Sequence, residues 1–394
     1  MRRSRLAASL LVALLAAGVA ARPATAAPPR LEARSWALVE ARTGEVLASH
    51  AGKRRLPVAS TTKLMTAYVA LRELPLGQLV RTSEYPAIPG ESLLGLPPGE
   101  RISVRDLLYG LILRSGNDSA DDLALAAAGS VPRFVREMNR YASALGLSHT
   151  RYANPVGLDQ KGNFSSALDL TALARRLLGN PAFARIADSR TALLRSLRPP
   201  RRIETLNDFL LAVPWATGVK TGHTFGAGYV LVGAGRRKGV ELISAVLGAW
   251  TESTRDGETE RLLDYGFSKY RRRVPVRRGQ ALARPSIHYG SGELPLRAAR
   301  RVAVGVRRGQ RLSTTVRAPD EVEGPLRRGA VLGRATVFVD GRRIAAVPLR
   351  AARAVPEPST LDRVRGGLGD NALWLLLAAS AILVGAILGR RLKR

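Results

Sequence analysis

The sequence contains no cysteine, so neither a disulfide framework nor a thiol nucleophile is available to it, and that absence fits any compartment. Histidine is scarce: His50, His149, His223 and His288 lie far apart, without the close pairs that a zinc site draws on, and no metal or other cofactor is implied. Lysine is rare for so basic a chain. Of 62 basic residues, only Lys53, Lys63, Lys161, Lys220, Lys238, Lys269 and Lys393 are lysine. Arginine stays protonated and cannot act as a base, whereas a lysine amine can lose its proton when suitably placed. A lysine kept at a motif position in this chain therefore marks a place where arginine would not do. Lys63 and Lys220 occupy such positions.

Acidic residues number 31, which leaves a formal charge of +31. The arginines are spread through every region and no nucleic-acid-binding motif accompanies them, so a nucleic-acid partner is not indicated. A general arginine bias accounts for the charge, with attraction to an anionic wall or membrane surface as a by-product. A length of 394 residues gives room for two or three domains, each with a buried core.

Residues 1–26 read as a secretory signal peptide. Arg2, Arg3 and Arg5 precede an apolar run from Leu6 to Ala20, and Ala24-Thr25-Ala26 offers a small-residue cleavage site. Residues 27–272 form the first folded unit. Trp36 to Val39 and Glu45 to Ala48 read as a hairpin, and an extended stretch, Leu56 to Ala59, leads into a helical pattern through Leu64, Ala67, Tyr68 and Leu71. Pro86 to Gly99 suits a long loop near a site. Helical patterns run from Leu107 to Leu113, Ser119 to Ala128, Pro132 to Leu145 and Ala167 to Leu178. Two apolar segments, Tyr229 to Ala234 and Val240 to Gly248, read as antiparallel strands around Gly235 to Gly239, and a last helix is expected from Ser253 to Tyr270. The early hairpin and the late strands would share one sheet, with the helices between them.

Residues 273–350 change character to short alternating strands, with a weak internal echo of Arg-Arg-Gly at 277–279, 307–309 and 327–329 that reads as turns, and predict a small all-β domain. Residues 351–370 read as a linker. Residues 371–389 are apolar enough to span about 28 Å as a helix. The basic tail 390–394 that follows puts this end in the cytoplasm by the positive-inside rule. The first folded unit would then be anchored by a C-terminal transmembrane helix and face outward from the membrane.

Ser60-Thr61-Thr62-Lys63 opens the first helical pattern, and residues three apart share a helix face, so the hydroxyl of Ser60 and the amine of Lys63 can meet as nucleophile and base. On its own the fragment also fits a serine that caps a surface helix. Two more short motifs follow in order, Ser115-Gly116-Asn117 in a turn between helices and Lys220-Thr221-Gly222 leading into His223-Thr224.

The ordered set Ser60-x-x-Lys63, Ser115-Gly116-Asn117 and Lys220-Thr221-Gly222 resembles that of the serine penicillin-recognising enzymes. Asn154-Pro155-Val156-Gly157-Leu158, Ser165 to Leu170 and Leu263-Asp264-Tyr265-Gly266-Phe267 narrow the resemblance to low-molecular-mass penicillin-binding proteins that are serine-type D-alanyl-D-alanine carboxypeptidases. It implies an α+β fold, a transpeptidase/β-lactamase-like domain of antiparallel sheet flanked by helices, followed by the all-β domain. It also implies a peptidoglycan stem peptide ending in D-Ala-D-Ala as substrate and β-lactams as inhibitors. Ser60 would be the nucleophile, Lys63 the base and Ser115 a proton relay. Asn117, Lys220, Thr221, Gly222 and His223 would bind substrate, with the backbone N–H groups of Ser60 and His223 as oxyanion hole. Phe225-Gly226-Ala227 departs from the acidic or polar residue the family often has after the third motif.

Three other readings compete. A DD-endopeptidase that cuts cross-links is close in chemistry. A class A β-lactamase would add a glutamate that activates the deacylating water, and Glu204-Thr205-Leu206-Asn207 only superficially suggests one, because its spacing is one residue short. A silent wall-binding scaffold would have lost a motif residue, and none is lost.

Overall fold

The computed structural model describes residues 27–360, 362–363 and 379–382. The expected signal peptide, the basic tail and all but four residues of the expected span 371–389 lie outside the described residues. Among the described residues no helix is long and apolar enough to cross a membrane.

The first domain is built on a five-stranded antiparallel sheet ordered β2-β1-β9-β8-β7. Its strands are β1 (Ser35–Glu40), β2 (Val46–His50), β7 (Ala216–Thr224), β8 (Gly228–Arg237) and β9 (Val240–Ala249). The intervening chain supplies two small ribbons, β3 (Leu79–Arg81) with β4 (Arg101–Ser103) and β5 (Thr191–Leu194) with β6 (Arg201–Glu204). It also supplies helices α1 (Lys63–Glu73), α2 (Val104–Leu113), α3 (Asn117–Ala128), α4 (Val131–Ala144), α5 (Ala167–Leu178), α6 (Pro181–Ala187) and α7 (Asp208–Ala212). The last helix, α8 (Glu252–Ser268), follows the sheet.

Side-chain alternation divides this sheet between two cores. Ala37, Val39, Val230, Val232, Ile243 and Ala245 face the helical cluster of α1 to α6. Trp36, Leu38, Leu231, Leu242 and Val246 face α7 and α8. Burial on both faces explains why the central strands read as near-continuous apolar runs. Helix starts follow local chemistry: the side chains of Ser103, Ser166 and Thr251 each accept the backbone N–H three residues on, at the first turns of α2, α5 and α8.

Several expected boundaries move; α3, for one, starts at Asn117, inside the segment expected as a turn. The turn between β8 and β9 is only Lys238-Gly239, with φ of 55° and 80°, so the strands extend through Arg236 and Arg237, whose exposed side chains had read as turn. The last helix stops at Ser268, and Tyr270, nearly fully buried, opens β10 (Tyr270–Val276) instead.

The second domain is all β. Its main sheet is ordered β11-β13-β18-β17-β15, from β11 (Ala281–Ala283), β13 (Leu296–Ala298), β15 (Leu312–Arg317), β17 (Val331–Val339) and β18 (Arg342–Ala351). β10 pairs with β14 (Val302–Arg307), and β12 (Ser286–Ile287) with β16 (Glu321–Val322). Val276, Leu294, Leu296, Val337, Val347 and Leu349 fill its core. The Arg-Arg-Gly echo forms three equivalent turns: Gly279, Gly309 and Gly329 all have φ of 80–87°, and each turn closes with an N–H three residues on from its first arginine. The fold continues into the segment expected as linker, because β18 ends at Ala351 and Val355, buried, bridges Leu326. Gly305 N–H donates to the Gly239 carbonyl and Arg307 pairs with Glu45, so the β domain docks on the β8–β9 turn and the β1–β2 hairpin.

Candidate active site

Ser60 lies in a single 3₁₀ turn, Ala59–Thr62, that runs directly into α1. With three residues per turn the side chains of residues i and i+3 eclipse. Lys63 Nζ accordingly sits 2.9 Å from Ser60 Oγ. The serine caps no helix; the only hydrogen-bond partner of its hydroxyl among the described residues is this amine, which removes the surface-cap reading.

Lys63 is fully buried. Its Nζ also lies 2.6 Å from Asn117 Oδ1 and 2.7 Å from the Val156 carbonyl oxygen. Those two oxygens can only accept, whereas a hydroxyl can give or take. A neutral amine has two N–H bonds and one lone pair. Its hydrogens satisfy Asn117 and Val156, and its lone pair is left for the Ser60 hydroxyl. Burial, and after it the charge of Lys220, hold the amine well below the ordinary lysine range, against the pull of Glu91 and Asp118. Geometry and electrostatics therefore favour one species, a free amine aimed at a serine.

Ser115 and Asn117 come from the α2–α3 connection. Ser115 is buried with φ of 57°, Gly116 follows, and Asn117 is the first residue of α3. The Ser115 hydroxyl makes no hydrogen bond among the described residues. The same holds for the hydroxyl of Thr221. Both donors are unspent.

The third motif lies on β7, the edge strand of the sheet, whose free side faces the Ser60 turn. Contact is close enough that a β-carbon on Gly222 would stand 2.9 Å from the Ser60 backbone nitrogen. Any side chain there would push the strand and the Ser60 turn apart. Lys220 is buried, its Nζ donates to the Thr221 carbonyl at 2.8 Å, and burial first and the charge of Arg255 second bring its pKa down to about 7. His223 is exposed, its ring stacked on Tyr229 with centroids 4.1 Å apart. Asp159 joins the loop of Val156 to the end of β7 by accepting from Thr224 Oγ1 at 2.7 Å and Gly226 N–H at 2.9 Å.

The fold thus brings all three motifs to one cleft between the helical cluster and the sheet edge. Sequence reasoning missed the Val156 carbonyl, Asp159 and Glu91, which touches Asn117. It correctly set aside the β-lactamase-like segment: Glu204 is exposed on β6, and Asn207 caps α7 by accepting from Leu210 N–H.

This fold and cleft define a penicillin-recognising serine hydrolase carrying a C-terminal all-β domain. The chain belongs to the D-alanyl-D-alanine carboxypeptidase family, whose sequence pattern matches residues 22–251, and that of the penicillin-binding protein 5 C-terminal domain matches residues 270–357. It is a serine-type D-alanyl-D-alanine carboxypeptidase. It is 34% identical over 379 residues to the D-alanyl-D-alanine carboxypeptidase DacC of Escherichia coli, covering 92% of this chain and 94% of DacC. With DacF of Bacillus subtilis the identity is 30% over 349 residues, 86% of this chain and 90% of DacF. Penicillin binding protein 5 from Haemophilus influenzae superposes with a TM-score of 0.59 at 28% identity, covering 84% of this chain and 100% of that one. Penicillin binding protein 6B from Escherichia coli gives 0.60 at 27%, covering 83% and 98%.

Proposed function

We propose that this carboxypeptidase removes the terminal D-alanine from peptidoglycan stem peptides through an acyl-enzyme on Ser60. The observation that carries this reading is the Lys63 amine, buried and 2.9 Å from Ser60 Oγ, with its other two positions spent on acceptors. Lys63 takes the hydroxyl proton as Ser60 Oγ attacks the carbonyl carbon of the penultimate D-alanine. The oxygen that becomes negative lies between the N–H groups of Ser60 and His223. The C–N bond breaks, the departing D-alanine amine receives the proton from Lys63 through the free hydroxyl of Ser115, and the serine ester is then hydrolysed by water. Asn117 holds the substrate amide. The ammonium of Lys220 and the hydroxyl of Thr221 take the terminal carboxylate, which a cation and a neutral donor on a strand edge suit. Gly222 lets that strand approach.

A β-lactam presents the same carboxylate and a strained amide, so penicillin acylates Ser60 and leaves slowly. Residues 1–26 would direct export and residues 371–389 would anchor the chain, which places the catalytic domain outside the membrane. The basic residues after the apolar run support that orientation. The test is to give the purified protein a pentapeptide stem and a cross-linked dimer and measure the D-alanine and monomer released. Release of D-alanine from the pentapeptide is expected; cleavage of the dimer alone would make it an endopeptidase. Labelling with fluorescent penicillin, lost in Ser60→Ala, checks the nucleophile.

A further inference from the structure

The loop ahead of α2 brings a carboxylate to this cleft that none of the three motifs contains. Glu91 Oε2 accepts from Asn117 Nδ2 at 2.7 Å and from the Tyr85 hydroxyl at 2.7 Å. A carboxylate accepts hydrogen bonds and donates none, so it dictates which end of the Asn117 carboxamide it meets. The NH₂ turns to Glu91, and Oδ1 is left facing Lys63. Without that partner the amide is free to rotate and present its NH₂ to the lysine, where two donors would oppose each other.

The loop is held so that Glu91 stays in place. On its C-terminal side, Asp118 accepts from the backbone N–H groups of Leu94 at 2.8 Å and Gly95 at 2.7 Å. On its N-terminal side, Asp122 accepts from both the N–H and the hydroxyl of Ser83 at 2.8 Å. Between them, Asn117 N–H donates to the Ser92 carbonyl at 2.8 Å. One helix, α3, carries the amide that is oriented and grips the loop that orients it.

We infer that Glu91, backed by Tyr85, is a positioning residue for acylation: it fixes the Asn117 amide so that Lys63 finds an acceptor there and keeps its lone pair on Ser60. The inference rests on the Ser60–Lys63 reading given above. A consequence of charge accompanies it. The charged groups that act on Lys63 are Lys220 on β7, Asp118 on α3 and Glu91 on the loop, and Glu91 favours the protonated amine. Removing its charge lets Lys63 shed its proton at lower pH.

The test follows acylation by fluorescent penicillin and the lifetime of the acyl-enzyme across pH, on the full chain, with Ser60→Ala and thermal unfolding as controls. Glu91→Ala is expected to slow acylation roughly 10- to 100-fold, the range of one hydrogen bond to a charged group. Glu91→Gln keeps a carbonyl acceptor for Asn117 and Tyr85, and so loses no more than about threefold, with the acidic limb of its pH profile moved to lower pH. Tyr85→Phe is expected to slow acylation about threefold. If Glu91→Ala is too unstable to assay, Glu91→Gln and Tyr85→Phe decide alone. Acylation at the wild-type rate in Glu91→Ala, with Ser60→Ala unlabelled, overturns the role of Glu91 and leaves the nucleophile intact. Labelling of Ser60→Ala overturns the nucleophile instead. Normal acylation of Glu91→Gln with a longer-lived acyl-enzyme overturns positioning in favour of a glutamate that activates the hydrolytic water.

Discussion

A β-carbon on Gly157 would lie 1.9 Å from the carbonyl oxygen of Ala59, the residue before Ser60. Gly157 also has φ of 96°, where a side chain is strained in any surroundings. The loop that supplies the Val156 carbonyl to Lys63 therefore passes directly against the Ser60 turn, and β7 closes on that turn from elsewhere through Gly222. The obstacle at Gly157 is backbone, which cannot swing aside as a flexible side chain can. Gly157→Ala is expected to move the turn, to cost about 1–3 kcal/mol of stability, and to slow penicillin acylation by more than tenfold. Thermal unfolding and labelling kinetics measure both; a variant that labels at the wild-type rate would show that the turn is not held this way.

Lys63→Arg keeps a cation beside Ser60 and removes the proposed base, because a guanidinium does not give up its proton. Loss of a positioned base typically costs about 10²- to 10⁴-fold, and acylation of Lys63→Arg is expected in that range. In the wild type the rate should rise with pH along an acidic limb set by Lys63, well below the ordinary lysine range, because only the free amine can accept the proton. A limb near the ordinary lysine value would mean that burial does not act on this amine as described.

Much of this was legible in the residues. The sheet and its enclosed helices followed from period: α5 spans Ala167–Leu178 as the pattern predicts, and the Arg-Arg-Gly repeats are turns. The motifs converge as their order suggests. What stayed hidden depends on paths and on backbone. Glu91 reaches Asn117 because Asp118 and Asp122 clamp its loop, and in sequence those aspartates look like the polar face of a helix. The Val156 contact uses a carbonyl that every residue type possesses, so no letter marks it. Tyr270 read as the end of a helix because a buried aromatic suits a helix and a strand alike.

The fate of the proposed acyl-enzyme would separate this protein from a β-lactamase. Glu204 is exposed on the β5–β6 ribbon, and Asn207 is occupied in capping α7. Glu204→Ala should therefore leave the lifetime of the penicilloyl-enzyme within about twofold of wild type, since a surface change away from such features is worth only about 0.5 kcal/mol. A marked lengthening, followed by release of fluorescent product, would make Glu204 the deacylating base.

Lys220 sets substrate recognition against stability. It is buried, its Nζ donates to the backbone carbonyl of Thr221, and Arg255 adds a second positive charge nearby. Its pKa of about 7, against 10.5 for an ordinary lysine, means that folding favours the neutral amine. Between those values the unfolded chain binds a proton that the folded chain does not, so this residue makes stability rise with pH across that window and lowers it most at and below about pH 7. Lys220→Met removes the penalty, and is expected to stabilise the protein by about 1–3 kcal/mol near neutral pH, with the advantage shrinking to nothing as the unfolded lysine titrates. The same change removes the cation proposed for the terminal carboxylate, so KM for a D-Ala-D-Ala peptide should rise at least tenfold. In the wild type KM should climb as pH passes above the pKa of Lys220, because the neutral amine offers the carboxylate no charge. Thermal unfolding and steady-state kinetics at several pH values decide it: if Lys220→Met is less stable at neutral pH, the lysine is held charged by a partner and its role in the folded site is structural.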